Sequence, residues 1–411
     1  MKKLSTSTLL MALAAGPAFA GGFQVNLQGT RQIAMGGTAA AVPLDAATVF
    51  YNPAGMAVLG GSQVYVGGFY LKSYTDFVQT PTGSGKYTTE SPAGTPFNVY
   101  FMHQLRGKLS KLSLGLSVNT PFGSGVKWPQ GWTGQYLINE IKLRSYFFQP
   151  TLAYKVSDHF SFGAGVVYAR GTVELGQSLP LTATDNSTSS ALLKGSGSGW
   201  GFNAGVHASY GKFTLGLNYR SQVDMKVENG DATFTVPSTL SANFPATNKF
   251  STSLPLPQNF SVAIGYKPTA ALTLQAQMDY LGWSAYRDLS FDYENNTAAL
   301  KDTKRTRNWN DRAVYRFGAM YKATSMLDVM AGYAYDRSPV PDGYFSAETP
   351  DANRNIVTAG VAVHPTSKLT VSGTFYYTAT QKRDVYNMED NFSGRIQTKA
   401  AAGGLGISYN F

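Results

Sequence analysis

The C-terminal segment constrains the fold more than any other stretch. Leu405, Ile407, Tyr409 and Phe411 fall on one face, and Gly404, Gly406, Ser408 and Asn410 on the other. Successive side chains of a strand point to opposite sides, so this is a ribbon with one apolar and one small, polar face. The pattern recurs. Phe213, Leu215, Leu217 and Tyr219 alternate with Thr214, Gly216, Asn218 and Arg220. Leu272, Leu274, Ala276, Met278 and Tyr280 alternate with Thr273, Gln275, Gln277 and Asp279. A β-sandwich alternates too, but three features point to a membrane barrel. The runs reach about ten residues, enough to cross a bilayer at a tilt, whereas soluble strands average about five or six. Tyr and Phe gather toward strand ends, and the connections alternate between short and long.

Strands are predicted at 62–73, 96–106, 109–119, 145–155, 159–175, 199–210, 212–224, 257–267, 271–283, 311–322, 326–337, 353–364, 367–380 and 400–411, fourteen in all. Tight turns such as Tyr210-Gly211-Lys212 follow the even-numbered strands. Long connections at 74–95, 120–144, 176–198, 225–256, 284–310, 338–352 and 381–399 follow the odd ones. Lipid offers no hydrogen bonds, so every strand must pair on both edges. The expected fold is all-β, a closed fourteen-stranded antiparallel transmembrane barrel in the outer membrane, with both termini in the periplasm.

Lys2 and Lys3, the apolar Leu9–Ala15 and Ala18-Phe19-Ala20 form the three parts of a cleavable signal peptide. The expected domains are residues 1–20 as signal peptide, 21–61 as an N-terminal hatch and 62–411 as barrel. Segment 21–61 is small, Gly-rich and without strand-length alternation. It is either a compact plug in the lumen or a disordered periplasmic tail. Val42, Val49, Phe50, Tyr51 and Met56 favour the plug, because disordered tails are poor in such residues.

Only 14% of residues are charged, against about 25% in soluble domains. With 25 Tyr and 24 Phe, disorder of the whole chain is excluded. There is no Cys, hence no disulfide, thiolate metal site or thiol nucleophile. The four histidines, His103, His159, His207 and His364, are scattered without metal-ligand spacing. Ser198 lacks the Gly two residues before it that a nucleophile elbow requires. No enzyme activity, cofactor, metal or nucleic-acid partner is expected. The rival reading is a passive hydrophilic channel. Such pores carry charge ladders, whereas the predicted inward faces here are Gly, Ser, Thr, Asn and Gln.

Gly21-Gly22-Phe23-Gln24, Met35-Gly36-Gly37-Thr38-Ala39, Asp45-Ala46-Ala47, Tyr51-Asn52-Pro53-Ala54-Gly55 and Asn119-Thr120-Pro121-Phe122-Gly123 carry a resemblance. With them the chain resembles the FadL/TodX-type outer-membrane transporters of long-chain fatty acids and hydrocarbons. The resemblance implies a monomeric barrel with an N-terminal hatch, an outer capture groove, a deeper lumenal site and lateral release beside a kinked strand. It places Phe23 in the deep site, Asn52, Pro53 and Ala54 in the hatch motif, and Pro121, Phe122 and Gly123 at the kink. Fatty-acid members hold basic side chains in the deep site. The matching positions here are Leu175 and Asn310, with Arg170, Arg312 and Arg316 as nearby cations. Fatty acid and neutral hydrocarbon both stay open as ligands.

Independently of the resemblance, Pro150 is a second candidate strand break. Leu179, Leu192, Leu193, Phe234, Leu240 and Phe244 are apolar in segments read as outer loops, and so are capture-groove candidates, with packing between loops as the alternative. Lys301, Lys304, Arg305, Arg307 and Arg312 suggest contact with anionic lipopolysaccharide or a solvated face. The terminal Ile407-x-Tyr409-x-Phe411 resembles the signal read by the outer-membrane assembly machinery.

Overall fold

The computed structural model describes residues 22–81, 83, 85–182 and 188–411. The predicted signal peptide and Gly21 lie outside the described residues. Among these residues fourteen antiparallel strands form the wall. They are β1 (Ser62–Gln79), β2 (Phe97–Gln104), β3 (Leu112–Asn119), β4 (Glu140–Lys155), β5 (Phe160–Thr182), β6 (Thr188–Tyr210) and β7 (Phe213–Arg220). The second half comprises β8 (Asn259–Tyr266), β9 (Leu272–Leu281), β10 (Arg312–Lys322), β11 (Leu327–Asp336), β12 (Arg354–Val363), β13 (Leu369–Thr380) and β14 (Phe392–Asn410). Each pairs with the next, and β1 closes on β14 from Gln63↔Asn410 to Gln79↔Gly394.

The sidedness is that of a protein dissolved in lipid. Val66, Phe101, Leu116, Leu152, Phe162, Phe202, Ile264, Phe317, Phe375 and Leu405 are exposed on the outer surface. The alternate positions, among them Ser117, Gln149, Asn203, Ser261, Gln277, Thr358 and Thr374, are buried inside. Exposed rings mark both ends of the apolar band. Phe160, Tyr210, Phe213, Tyr266 and Tyr321 lie toward the short turns, and Trp200, Tyr280 and Tyr333 toward the long connections.

Three expectations need correction. Segments 176–198 and 225–256 are not loops throughout: the described residues of the first continue β5 and β6, and the second holds the paired strands Val223–Thr235 and Thr247–Leu256. Above the lipid no apolar outer face is required, so outward positions there become polar, as at Asp224, Lys226 and Glu228. Pro150 does not break β4. Pairing to β5 keeps one register from Phe148↔Tyr168 to Thr151↔Gly165, and only the ladder positions beside the proline lapse. Finally, the inner face is not only small and neutral. Arg220, Asp279, Arg316, Asp328, Asp336 and Arg354 are buried there. They are tolerated because each is paired or hydrogen-bonded.

Those groups grip residues 22–61. Arg31 reaches Asp328 at 3.1 Å, and His364 Nε2 lies 3.0 Å from the same carboxylate. Arg316 Nε donates to Asp279 at 2.6 Å, and its Nη1 donates to the Gly36 carbonyl at 3.1 Å. Gln277 Oε1 accepts from the Ala39 and Ala40 amides. Arg220 donates to the Phe50 carbonyl and lies over the Phe50 ring, 4.2 Å from its centre. Close approach requires glycine on the wall: a Cβ at Gly216 would collide with the Ala40 carbonyl, and one at Gly332 with the Gly36 amide. Within the segment, Asn52 caps the Pro53–Gly55 turn by accepting from the Ala54 amide at 3.1 Å, with Pro53 at the first position, where no amide donor is needed. Its Nδ2 donates to Ala40 O at 2.7 Å and Val206 O at 3.0 Å, tying the turn both to its own segment and to β6. Asn52→Ala removes all three bonds at a fully buried position. A loss of about 2–4 kcal/mol in unfolding free energy is expected, measured by urea titration of the refolded barrel.

Candidate functional site

The wall is interrupted near residue 120. β3 pairs with β2 as far as Asn98↔Asn119 and with β4 as far as Asn119↔Phe147. Thr120–Phe122 then leave the wall, and Gly123–Lys127 rejoin β4 one register step later, beginning at Gly123↔Arg144. The inward bend is held by the N-terminal segment: Val25 N donates to Pro121 O at 2.8 Å, and Gly123 N to Phe23 O at 2.9 Å. Proline supplies no amide, and glycine at 123 lets the backbone pass close under Leu143 O. Outside the bend lies an opening of about 1190 Å³, part of it continuous with solvent, between Leu71, Pro92–Phe97 and the Phe122–Gly125 backbone.

Inward of the bend is a chamber with about 810 Å³ of space between atoms, part of it open to solvent. Its lining is largely apolar: Phe23, Phe122, Ile141, Leu143, Val173, Leu175, Met225, Val227, Leu254, Leu256, Leu289 and Phe291. Phe23 anchors one end in an aromatic cluster, with Trp283 at 4.9 Å, Tyr286 at 5.7 Å and Phe122 at 6.2 Å between ring centres. Burial pushes the Tyr286 phenol above its ordinary pKa, so it stays neutral at physiological pH. Two charged residues reach the lining, Arg144 and Glu348. Arg144 is exposed and also borders the outer opening. Glu348 is buried and ion-paired with the buried Arg307, which itself is not part of the lining.

Of the five deep-site candidates, Phe23 and Leu175 line this chamber. The three other deep-site candidates do not join them. Arg170 is exposed and lies in a cleft on the outer surface with Tyr168, Trp200 and Lys226. Asn310 is exposed, its amide bonded to Pro339 O. Arg316 is committed to Asp279 in a separate polar space beside Gln24, Asn26 and Tyr51. Arg312 donates to the Ser338 carbonyl. The groove candidates are packed rather than open. Leu193 and Phe234 are buried in the apolar cluster that includes the chamber wall, and Leu179 and Phe244 pack on it. The Phe234 and Phe244 ring centres are 6.0 Å apart, and Phe234 pairs with Ala191 beside Leu192. Leu240 is half-buried in a short turn. Of the basic cluster, Arg307 is buried, Lys304 pairs with Asp288 and Arg305 with Asp390.

Met225, Val227, Leu254, Leu256, Trp283, Tyr286 and Phe291 escaped the sequence reading. Val223, Met225 and Val227 alternate with charged residues, so the signal was present. It was masked because their outward partners are charged rather than apolar.

A closed lipid-facing barrel with its lumen crossed by its own N-terminal residues, and an apolar chamber set against a gap in the wall, defines a class of outer-membrane transport proteins. Comparison with known proteins makes this specific. The profile described as outer membrane protein transport protein (OMPP1/FadL/TodX) matches residues 11–411, and the chain belongs to that family. Outer membrane protein P1 of Haemophilus influenzae is 27% identical over the full length of both chains. The long-chain fatty acid transport protein of Escherichia coli K12 is 24% identical, with 87% of each chain covered. Among solved structures, a Pseudomonas aeruginosa FadL homologue superposes with a TM-score of 0.84 at 19% identity, covering 95% of this chain and 100% of that one. The Pseudomonas putida toluene transporter TodX gives 0.75 at 16% identity, covering 95% and 99%.

Proposed function

We propose that this protein carries uncharged apolar molecules across the outer membrane. They are held in the chamber at Phe23 and leave sideways at the Pro121–Gly123 bend, while residues 22–61 serve as a hatch that blocks free aqueous flow. The observation that carries the reading is the apolar chamber directly behind the Pro121–Gly123 bend in the wall. Water gains little from such a space, whereas each buried methylene of a solute contributes about 0.8 kcal/mol before binding costs. The gripped N-terminal segment speaks against an open hydrophilic pore. The transport named for the fatty-acid and toluene relatives supports the apolar class of cargo.

Within that class the chamber favours neutral molecules. A bound carboxylate would find no buried cation to pair with on the described lining, because Arg307 is already taken by Glu348. Arg144 sits at the rim, where water screens it. For one chain length, an alcohol is expected to bind the purified protein at least about tenfold more tightly than the carboxylic acid at pH 7, a difference of about 1.4 kcal/mol. Calorimetric titration of the pair measures it. Tighter binding of the acid would reverse the assignment.

A further inference from the structure

We infer that the outer end of the β5–β6 wall carries a binding site for the phosphate of a membrane glycolipid. The site faces away from the chamber and does not depend on it.

Strand register builds the site. Ser198 on β6 pairs with Arg170 on β5 and, on its other side, with Lys226 on the Val223–Thr235 strand. Residues directly opposite one another share a face of the sheet, and all three are exposed. A guanidinium, a hydroxyl and an ammonium therefore stand in one row on the outer surface. Neighbouring strands lie about 4.8 Å apart, so the two cations spring from backbone positions about 10 Å apart, with the serine midway. A phosphate has oxygens enough to accept from all three, and charge-assisted bonds of this kind are the strong ones. Among the described residues neither Arg170 nor Lys226 makes an ion pair. Basic groups higher on the same face are already taken, Lys142 and Lys194 by Glu174, and Lys249 by Asp231.

The height of the row suits a headgroup. Ser198 lies twelve residues above Tyr210 on β6. At about 3.3 Å per residue and a tilt near 40°, that is roughly 30 Å, just beyond an apolar band about 25 Å tall. One row lower, at the margin of the band, Tyr168 pairs with Trp200, their ring centres 4.8 Å apart, as interfacial aromatics do. Below them Val166 and Phe202 are exposed to the acyl chains. A lipid whose phosphate rests on Ser198 can lay its chains along this apolar track.

Tyr168, Arg170, Ser198, Trp200 and Lys226 border one cleft of about 1110 Å³, part of it open to solvent, and Asp224 and Glu228 border it too. Both carboxylates stand on the strand of Lys226, so a phosphate seats toward Arg170. Asp224 already accepts from Gln222 Nε2 at 2.6 Å. Two cations against two carboxylates leave the cleft without net charge. It exerts no long-range pull on a free anion, and exposed charges hold one weakly. Acyl chains on the apolar track supply the remaining affinity. The occupant is therefore a phosphorylated lipid rather than inorganic phosphate.

The test uses the full-length protein, extracted from outer membranes into a mild detergent, with native mass spectrometry counting the added lipid. The probe is a synthetic acylated glucosamine disaccharide, with and without its phosphates. Arg170→Gln with Lys226→Gln is expected to weaken binding of the phosphorylated probe by roughly tenfold or more. The parent should hold the phosphate-free probe more weakly by a similar factor, and Arg170→Lys with Lys226→Arg should bind as the parent does. Both positions are exposed, and heat-modifiable migration on a gel checks that each variant is folded. Parent-like affinity of the Gln variant would overturn the site, as would equal binding of the two probes. An equal loss in Lys301→Gln with Lys304→Gln, on another outer connection, would show that general surface charge holds the lipid instead. Displacement of the probe by an excess of inorganic phosphate would make the site one for a free anion and remove the lipid as its occupant.

Discussion

Asp279→Ala is expected to destabilise the barrel by about 3–5 kcal/mol and to open its lumen to ions. The carboxylate accepts from Arg316 Nε at 2.6 Å, and its other oxygen accepts from Ser261 Oγ and Gln277 Nε2, each at 2.7 Å. Removing it strands a fully enclosed guanidinium, and losing one partner of a buried pair costs about 3–5 kcal/mol. The damage spreads to the N-terminal segment, since Arg316 holds Gly36 and Gln277 holds Ala39 and Ala40. Planar-bilayer recordings should therefore show frequent conducting events in the variant and rare ones in the parent. Asp384→Ala is the control. It removes a fully exposed pair with Arg395 on the outer hairpin, where solvent screening leaves little to lose, so neither stability nor conductance should move.

Met225→Asp is expected to weaken binding of naphthalene by roughly 30–100-fold, about 2–3 kcal/mol, while the barrel still assembles. Met225 is buried on the chamber wall beside Val227 and Leu254. A carboxylate there holds water in an apolar space, and an apolar solute must then displace it. The strand pairing at Met225↔Leu254 is made by backbone groups and survives the change. Heat-modifiable migration on a gel checks assembly, fluorescence titration checks affinity, and Met225→Leu should bind as the parent does. Equal affinity of the Asp variant would remove the chamber as the cargo site.

The wall was legible because two solvents act on it. In Leu272–Leu281 one face meets lipid and the other a polar lumen, and the alternation of Leu274 with Gln275 records both demands. That argument loses force wherever one solvent is missing. Above the lipid, Met225 and Val227 alternate with charges and read as loop, although they form the chamber. Inside the lumen, Asp279 and Arg316 lie on different strands, and nothing in the order of residues announces that register will place them 2.6 Å apart. The family likeness drew attention to Phe23 and to Pro121–Gly123, and the structure adds what they touch. It was less useful for charge: Arg170 lies one residue out of phase with the inward set and points away from the chamber.

What the residues determined by themselves was the barrel: strand number, sidedness and the place of tight turns all follow from a period of two repeated in lipid. Tertiary structure alone decided which apolar side chains converge on a cavity, which charges neutralise one another and where the wall comes apart. Those outcomes depend on register between strands far apart in the chain, and register is set by closure of the whole ring rather than by any local run of amino acids.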